Sequence, residues 1–361
     1  MKNKFMAYTI FILALTLFIA TRIYAGKSID KAAKVSDSDS QEATIHEIPL
    51  IEETDKDATD SEVEEQGLLN DEWHGEFTPV AKFSGELPRI VCWGDSLTAS
   101  WDKKTAYPDR LREISGLEVI NYGVEAETTS MIAMRQGGIP VLVGATVIPA
   151  STELIPVFLK TETGNAVFYL DHGDGGVNPC QIGGIEGNLS KLNGAYYFER
   201  SEEGVRTSLS EDSTFVTFGM ADSNPDDVLV IFAGTNDLPD TESVYQLIDT
   251  IHDMLTVSKC DKYIIIGLTY AAGIPEIDKV NEILANEFED NFLDIRNYLI
   301  NYGLDDAGLK ATANDLIDIS EGEIPASLRR DYVHGNTYFY DLLAKQVYRR
   351  LQYLGYVPLG L

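Results

Sequence analysis

Cysteine is scarce in this chain: Cys92, Cys180 and Cys260 are all there is in 361 residues. Three thiols cannot build the disulfide framework of a small secreted scaffold. Cys92 and Cys260 lie in or beside apolar runs and read as buried thiols, while Cys180 stands alone in a Gly-rich stretch. Histidine is also rare, with five residues, and no Cys/His spacing fits a zinc site. Positive charge is outnumbered, with 28 Lys and Arg against 58 Asp and Glu and a formal charge of -30. Such a field repels phosphate, which argues against nucleic acid or an anionic membrane as a docking surface. A neutral ester or glycan is easier to accommodate.

The apolar run that suggests a membrane is at the N-terminus. Lys2 and Lys4 precede an apolar stretch from Phe5 to Ala20, and Ala25 supplies a small residue where cleavage would occur. Residues 1–25 therefore read as a signal peptide, or, because Arg22 makes the cleavage region atypical, as an N-terminal membrane anchor. No cysteine follows the run, which excludes a lipoprotein anchor. Residues 26–80 are rich in Asp, Glu, Ser and Thr and, most plainly up to Glu76, contain few aromatics. A segment of that kind cannot bury enough apolar surface to offset its ordering entropy and reads as a disordered linker. It is a tether or a solvated tail. Together these segments set an expectation of an extracytoplasmic protein, secreted or membrane-anchored.

Beyond the linker, continuous apolar runs (Ile90–Trp93, Leu117–Tyr122, Val228–Ala233, Tyr263–Leu268, Phe292–Ile295) alternate with helical ones (Thr105–Ser115, Thr241–Val257, Ile274–Phe288, Tyr338–Leu354). That alternation predicts a parallel sheet covered by helices. It holds over residues 86–136 and 224–361 and breaks between them. From Gly137 to Ser223, Gly-rich turns separate short β-rich runs: Val141–Ile148, Leu154–Lys160, Ala166–Leu170, Ala195–Arg200 and Thr214–Phe218. This predicts a small all-β module inserted into the α/β domain. It either binds or gates a substrate, or is a structural elaboration. As an accessory module it could be excised without loss of small-ester hydrolysis. Asp171-His172-Gly173-Asp174 within it reads as turn chemistry rather than as a calcium set, and no metal is expected.

Three segments carry chemistry. Arg89-Ile90-Val91-Cys92-Trp93 runs into Gly94-Asp95-Ser96-Leu97, placing a serine just past a strand. Ligands of open α/β sheets bind there. The bland alternative for Ser96 is a helix N-cap. Val228–Ala233 runs into Gly234-Thr235-Asn236-Asp237, and near the C-terminus Asp331-Tyr332-Val333-His334 sets a carboxylate and an imidazole three residues apart. Serine hydrolysis needs a nucleophile, an imidazole base, a carboxylate to orient it, and donors for the oxyanion. The order serine, aspartate, histidine is a known solution.

These blocks resemble those of the SGNH (GDSL-type) hydrolases: Gly94-Asp95-Ser96-Leu97, Gly234-Thr235-Asn236-Asp237 and Asp331-Tyr332-Val333-His334, in the family's order. The resemblance implies a flavodoxin-like, three-layer α/β/α sheet. It implies Ser96 as nucleophile, His334 as general base and acid, and Asp331 as its orienter. It also implies oxyanion donors from the Ser96 N–H and the Asn236 amide, with Gly94, Asp95, Gly234 and Asp237 as supporting residues. The family's second block departs from its pattern. In Asn121-Tyr122-Gly123-Val124-Glu125-Ala126-Glu127-Thr128, Ala126 stands where a donor glycine is expected. A backbone donor survives the change to alanine if φ is negative there, and is lost if the turn needs φ > 0. Gly-x-Ser-x-Gly is absent, so an ordinary α/β-hydrolase elbow is not expected. The implied function is an extracytoplasmic serine esterase using an acyl-enzyme and no cofactor. Its first-choice substrate is an O-acetylated glycan, polysaccharide or peptidoglycan, and no partner protein is inferred. The alternatives are a lysophospholipase- or thioesterase-like acylhydrolase, and a non-catalytic carbohydrate-binding surface protein on a hydrolase fold.

Overall fold

A computed structural model describes residues 78–99 and 106–359. The N-terminal segment 1–25, nearly all of the acidic linker and Trp101 lie outside the described residues. At the linker's far end the Val80 N–H already donates to the Tyr353 carbonyl at 2.9 Å.

In chain order come β1 (Ile90–Gly94), α1 (Ser96–Ala99), α2 (Tyr107–Ser115), β2 (Val119–Gly123) and α3 (Thr129–Gln136). Nine short strands follow: β3 (Val141–Val143), β4 (Thr146–Ile148), β5 (Ile155–Val157), β6 (Leu159–Thr161), β7 (Cys180–Ile182), β8 (Ile185–Leu192), β9 (Ala195–Arg200), β10 (Thr207–Leu209) and β11 (Ser213–Val216). After α4 (Phe218–Ala221) come β12 (Val228–Phe232), α5 (Val244–Ser258), β13 (Lys262–Ile266), α6 (Ile277–Phe288) and β14 (Phe292–Leu293). Then α7 (Ile295–Asn301), α8 (Gly303–Asp306) and α9 (Ala313–Ser320) lead to the closing helix α10 (Thr337–Tyr353).

The main sheet has the order β14-β13-β12-β1-β2, all parallel. Counting only its own strands, this is the flavodoxin-like order 2-1-3-4-5. The central strands are apolar at every position because helices cover both faces. Ile90, Cys92, Val230 and Phe232 face the core shared with Leu343, Val347 and Leu351 of α10. Val91, Trp93, Leu229 and Ile231 face the opposite core with Leu247 and Ile251 of α5 and Val280 and Leu284 of α6. The order reverses between β1 and β12, so the crevice at a topological switch point opens at their carboxyl ends.

The insert forms an antiparallel seven-stranded sheet, β5-β9-β8-β7-β11-β3-β6, with β10 and β4 as a separate pair. Its core includes Val143, Cys180, Ile182, Phe198 and Phe215, and Met134 of α3 joins it. All three cysteines are buried free thiols. At the insert's return, Arg89 before β1 pairs with Asp222 at 2.8 Å and Asp227 at 2.8 Å.

Several elements differ from the sequence reading. Ala166–Leu170 is not a strand and makes a single bridge, Lys160 to Ala166, although Val167 and Tyr169 are buried. Strand β7 is only three residues long, and in β8 Gly187 and the charged Glu186 and Lys191 dilute the alternation, so neither stands out in the sequence. Ile295 starts α7 rather than ending a strand, because the Asp294 side chain accepts the Asn297 N–H and caps a helix there.

Gly94 ends β1 where no side chain fits: a Cβ would lie 2.2 Å from Thr98 Oγ1 and 2.5 Å from the Phe232 carbonyl oxygen. Gly94→Ala is expected to lose about 1–3 kcal/mol, the usual cost of overpacking. Calorimetric melting beside the wild type measures it, and an unchanged Tm would show that the turn relaxes freely.

Candidate active site

Past Gly94 the chain turns sharply. Asp95 Oδ1 accepts the Leu97 N–H at 2.8 Å, and its backbone carbonyl accepts the N–H groups of Thr98 and Ala99 at 3.1 and 2.9 Å. These bonds start α1 and leave Ser96 half-buried at the sheet edge. Ser96 Oγ lies 3.0 Å from His334 Nε2. His334 Nδ1 in turn lies 3.0 Å from both Asp331 oxygens. The three residues therefore form one continuous relay.

Asp331 and His334 sit in a tight turn just before α10. The N–H groups of Arg330 and Asp331 both donate to the His334 carbonyl, at 2.9 and 3.3 Å. The Asp331 carboxylate also receives the Val333 and His334 N–H groups, at 2.9 and 2.8 Å, and Arg330 Nη2 at 3.0 Å. Burial pushes its pKa up, but the hydrogen bonds from His334, Val333 and Arg330 outweigh it and hold the carboxyl well below the usual range. It is therefore ionised wherever an imidazolium needs stabilising. Asn336 fixes the turn from the other side by accepting the Tyr338 and Phe339 N–H groups at the start of α10.

The residues read as oxyanion donors come from three further points on the same edge. Gly234 follows β12 with φ +110° and lets the chain double back. Beyond it, Asn236 Nδ2 donates to the Glu127 carbonyl at 2.8 Å and approaches Asp95 Oδ2 at 3.4 Å. Asp237 Oδ2 accepts both the N–H and the hydroxyl of Thr129, each at 2.8 Å. The Gly234–Asp237 block thus grips the loop after β2 at two points. Among the described residues, no backbone carbonyl accepts the N–H of Ser96 or that of Ala126.

The sign of φ at Ala126, left open by the sequence, is positive at +59°. The alanine nevertheless adopts the glycine-favouring conformation, against the expectation that a positive φ costs the donor, and does so at about 1–2 kcal/mol. Asp95 has the opposite character to Asp331. It is fully buried, and desolvation, with Asp237 and Glu127 nearby, pushes its carboxyl up to about 7.

Two residues of the site were not singled out from the sequence. Glu127 and Arg135 form a buried ion pair, with Arg135 Nη2 at 2.7 Å and Nε at 3.0 Å from Glu127 Oε2. The available signal was an arginine directly after the apolar stretch Met131-Ile132-Ala133-Met134. Trp93 is buried beneath that guanidinium, 5.1 Å from ring centroid to Cζ.

No protein-family model matches the chain. It is 25% identical over 254 residues to the tail spike protein of Salmonella phage epsilon15, covering 62% of this chain. The match takes in 22% of the phage protein, so the chain spans about a fifth of that relative's length. A protein described as lipolytic and of the G-D-S-L family, from Desulfitobacterium hafniense, is 13% identical with a TM-score of 0.40, covering 73% of this chain and 99% of its own. A member of the lipolytic G-D-S-L family from Veillonella parvula is 15% identical with a TM-score of 0.36, covering 72% and 96%. None of these likenesses assigns a role to a residue here.

The strain at Ala126 is directly measurable. Glycine relieves about 1–2 kcal/mol of left-handed strain and gives back about 0.4–1 kcal/mol through the unfolded chain. Ala126→Gly is therefore expected to melt at or slightly above the wild type, and Ala126→Val, β-branched at positive φ, clearly below it. Valine melting as high as glycine would contradict the left-handed turn.

Proposed function

We propose that this protein is a serine esterase acting through an acyl-enzyme on Ser96, outside the cytoplasm, on O-acetylated glycan such as a polysaccharide or peptidoglycan. The observation that carries the catalytic part is the relay Ser96 Oγ–His334 Nε2–Asp331, with 3.0 Å at each step. His334 Nε2 takes the Ser96 proton as Oγ attacks the ester carbonyl. Ionised Asp331 stabilises the imidazolium through Nδ1–H. The Ser96 and Ala126 N–H groups and the Asn236 amide meet the oxyanion, from three separate loops. Collapse of the tetrahedral intermediate expels the alcohol, which leaves with the proton from Nε2. Water, deprotonated by the same nitrogen, then attacks the acyl-enzyme and frees the acid and Ser96.

The glycan part rests on the surroundings. A cavity of about 230 Å³ beside Asp237, next to Asn236, is lined by Thr129, Ser130, Ser243, Gln246 and Thr250 together with Pro239 and Leu247. Its hydroxyls and amide could meet sugar hydroxyls, while its apolar share leaves room for a short acyl group. Tyr332, 77% exposed between Asp331 and His334, offers an aromatic face at the rim. The location rests on the sequence of residues 1–25. No helix among the described residues is long and apolar enough to cross a membrane.

The test is a panel of acetyl to octanoyl nitrophenyl esters run beside acetylated xylan and acetylated peptidoglycan. Acetyl esters are expected to turn over fastest, with acetate released from at least one polymer. Ser96→Ala should lose several orders of magnitude in rate and all labelling by a fluorophosphonate, with its melting curve retained. Hydrolysis by Ser96→Ala at the wild-type rate would overturn the mechanism, and a preference for octanoyl esters without acetate release would overturn the substrate.

A further inference from the structure

We propose that the β insert is part of the catalytic apparatus: through Arg135 it fixes the loop bearing Ala126, and Arg135 is a positioning residue for the oxyanion side of the site. This rests on the esterase reading above. A left-handed alanine on an exposed turn persists only when its surroundings over-determine it. Two ties come from the main sheet, Asn236 to the Glu127 carbonyl and Asp237 to Thr129. The third is the Glu127 carboxylate, held by Arg135.

Arg135 is itself held by the insert. Its Nη1 donates to the Gly175 carbonyl, and its own carbonyl accepts the Thr217 hydroxyl at 2.7 Å. The loop Gly173–Gly176 is pressed against the end of β2 and the residue after it. At Gly175, with φ +47°, a Cβ would lie 2.1 Å from Val124 Cγ2 and 2.9 Å from Arg135 Nη1. At Gly176 it would lie 2.7 Å from the Tyr122 ring. Gly219, just past the insert's last strand, approaches Trp93 so closely that a Cβ would meet the indole at 2.6 Å. Val124 precedes Ala126 by two residues, so contacts from the insert bear on the turn both directly and through the ion pair. Excision of residues 137–223 would remove the Gly175 and Thr217 contacts together, against the expectation that an accessory module can be cut away without loss.

The deciding variant is Glu127→Leu/Arg135→Met. Removing both partners of a buried ion pair leaves no uncompensated charge and is tolerated far better than removing one. With an acetyl nitrophenyl ester, kcat is expected to fall by about 10²-fold, the order of one lost oxyanion donor, with KM unchanged. The acid limb of the kcat–pH profile should stay in place, because the Ser96–His334–Asp331 relay is untouched. Amide hydrogen exchange over residues 124–128 should accelerate at least about tenfold while α5 and α10 exchange as in the wild type. A folded double variant with wild-type kcat and wild-type exchange there would overturn the proposal. If that variant does not fold, Thr217→Val and Gly175→Ala strike the insert side alone. They are expected to show the same fall in kcat and the same faster exchange, and wild-type values of both would overturn the proposal equally. If the wild type hydrolyses no ester in the panel, the esterase reading fails, and the exchange measurement alone decides whether Arg135 holds the loop.

Discussion

A fully buried guanidinium must have its charge neutralised and its N–H groups met, because neither can be left unpaired away from water. Arg135 is in that position, with no exposed surface. Its partners belong to three parts of the molecule: Glu127 on the loop after β2, Gly175 in the insert and the Trp93 ring on β1. No one of these parts satisfies it alone. The docked insert and the loop after β2 therefore share in meeting the buried arginine, through the Gly175 carbonyl and the Glu127 side chain. An ion pair of this kind adds little net stability over apolar residues of the same size. Its effect is on arrangement, since it fixes which loop meets which.

The site follows from the sheet topology. Ser96 and Asn236 are more than a hundred residues apart, yet each stands just past the end of one of two adjacent parallel strands, β1 and β12. The loop with Ala126 follows β2, on the other side of β1. Convergence on one edge needs only that the strands be parallel and in register. The third contribution, Asp331 and His334, does not come from a strand of the sheet. It is delivered by the turn before α10, whose apolar face joins the same core as Ile90 and Cys92 of β1 and Val230 and Phe232 of β12.

Much of this was legible in the sequence because the signals are local. Val228–Phe232 can only be a doubly buried strand, and Asp331-Tyr332-Val333-His334 carries its pairing within four residues. The parts that were not legible depend on partners distant in the chain. Helix α3 has a weakly amphipathic sequence, and its start is stabilised from outside, by Asp237 on Thr129. Strand β8, Ile185-Glu186-Gly187-Asn188-Leu189, looks like a loop until β7 and β9 flank it. The sign of φ at Ala126 could not be read from the residue type, since alanine argues for the other sign. It is set by Asn236, Asp237 and Arg135 acting on neighbours of Ala126.

Asp331 in the relay and Asp95 beside Ser96 show how far surroundings decide the behaviour of one residue type. Asp331 is surrounded by donors, and its folded pKa lies below the unfolded value. Its contribution to stability is present above the ordinary carboxylate range and is lost as pH falls through the folded pKa. Asp95 is fully buried with the Asp237 and Glu127 carboxylates nearby, and although the Leu97 N–H donates to it, desolvation prevails and its folded pKa rises to about 7. Its contribution has the opposite sign: it is complete below about 4 and declines as pH rises towards 7. Near neutrality the site thus holds one aspartate that is always charged and one that is close to changing. The second lies 3.4 Å from the Asn236 amide, where a new negative charge would compete with an oxyanion for the same donor. The burial that keeps Asp95 protonated at lower pH therefore keeps a negative charge away from the Asn236 amide.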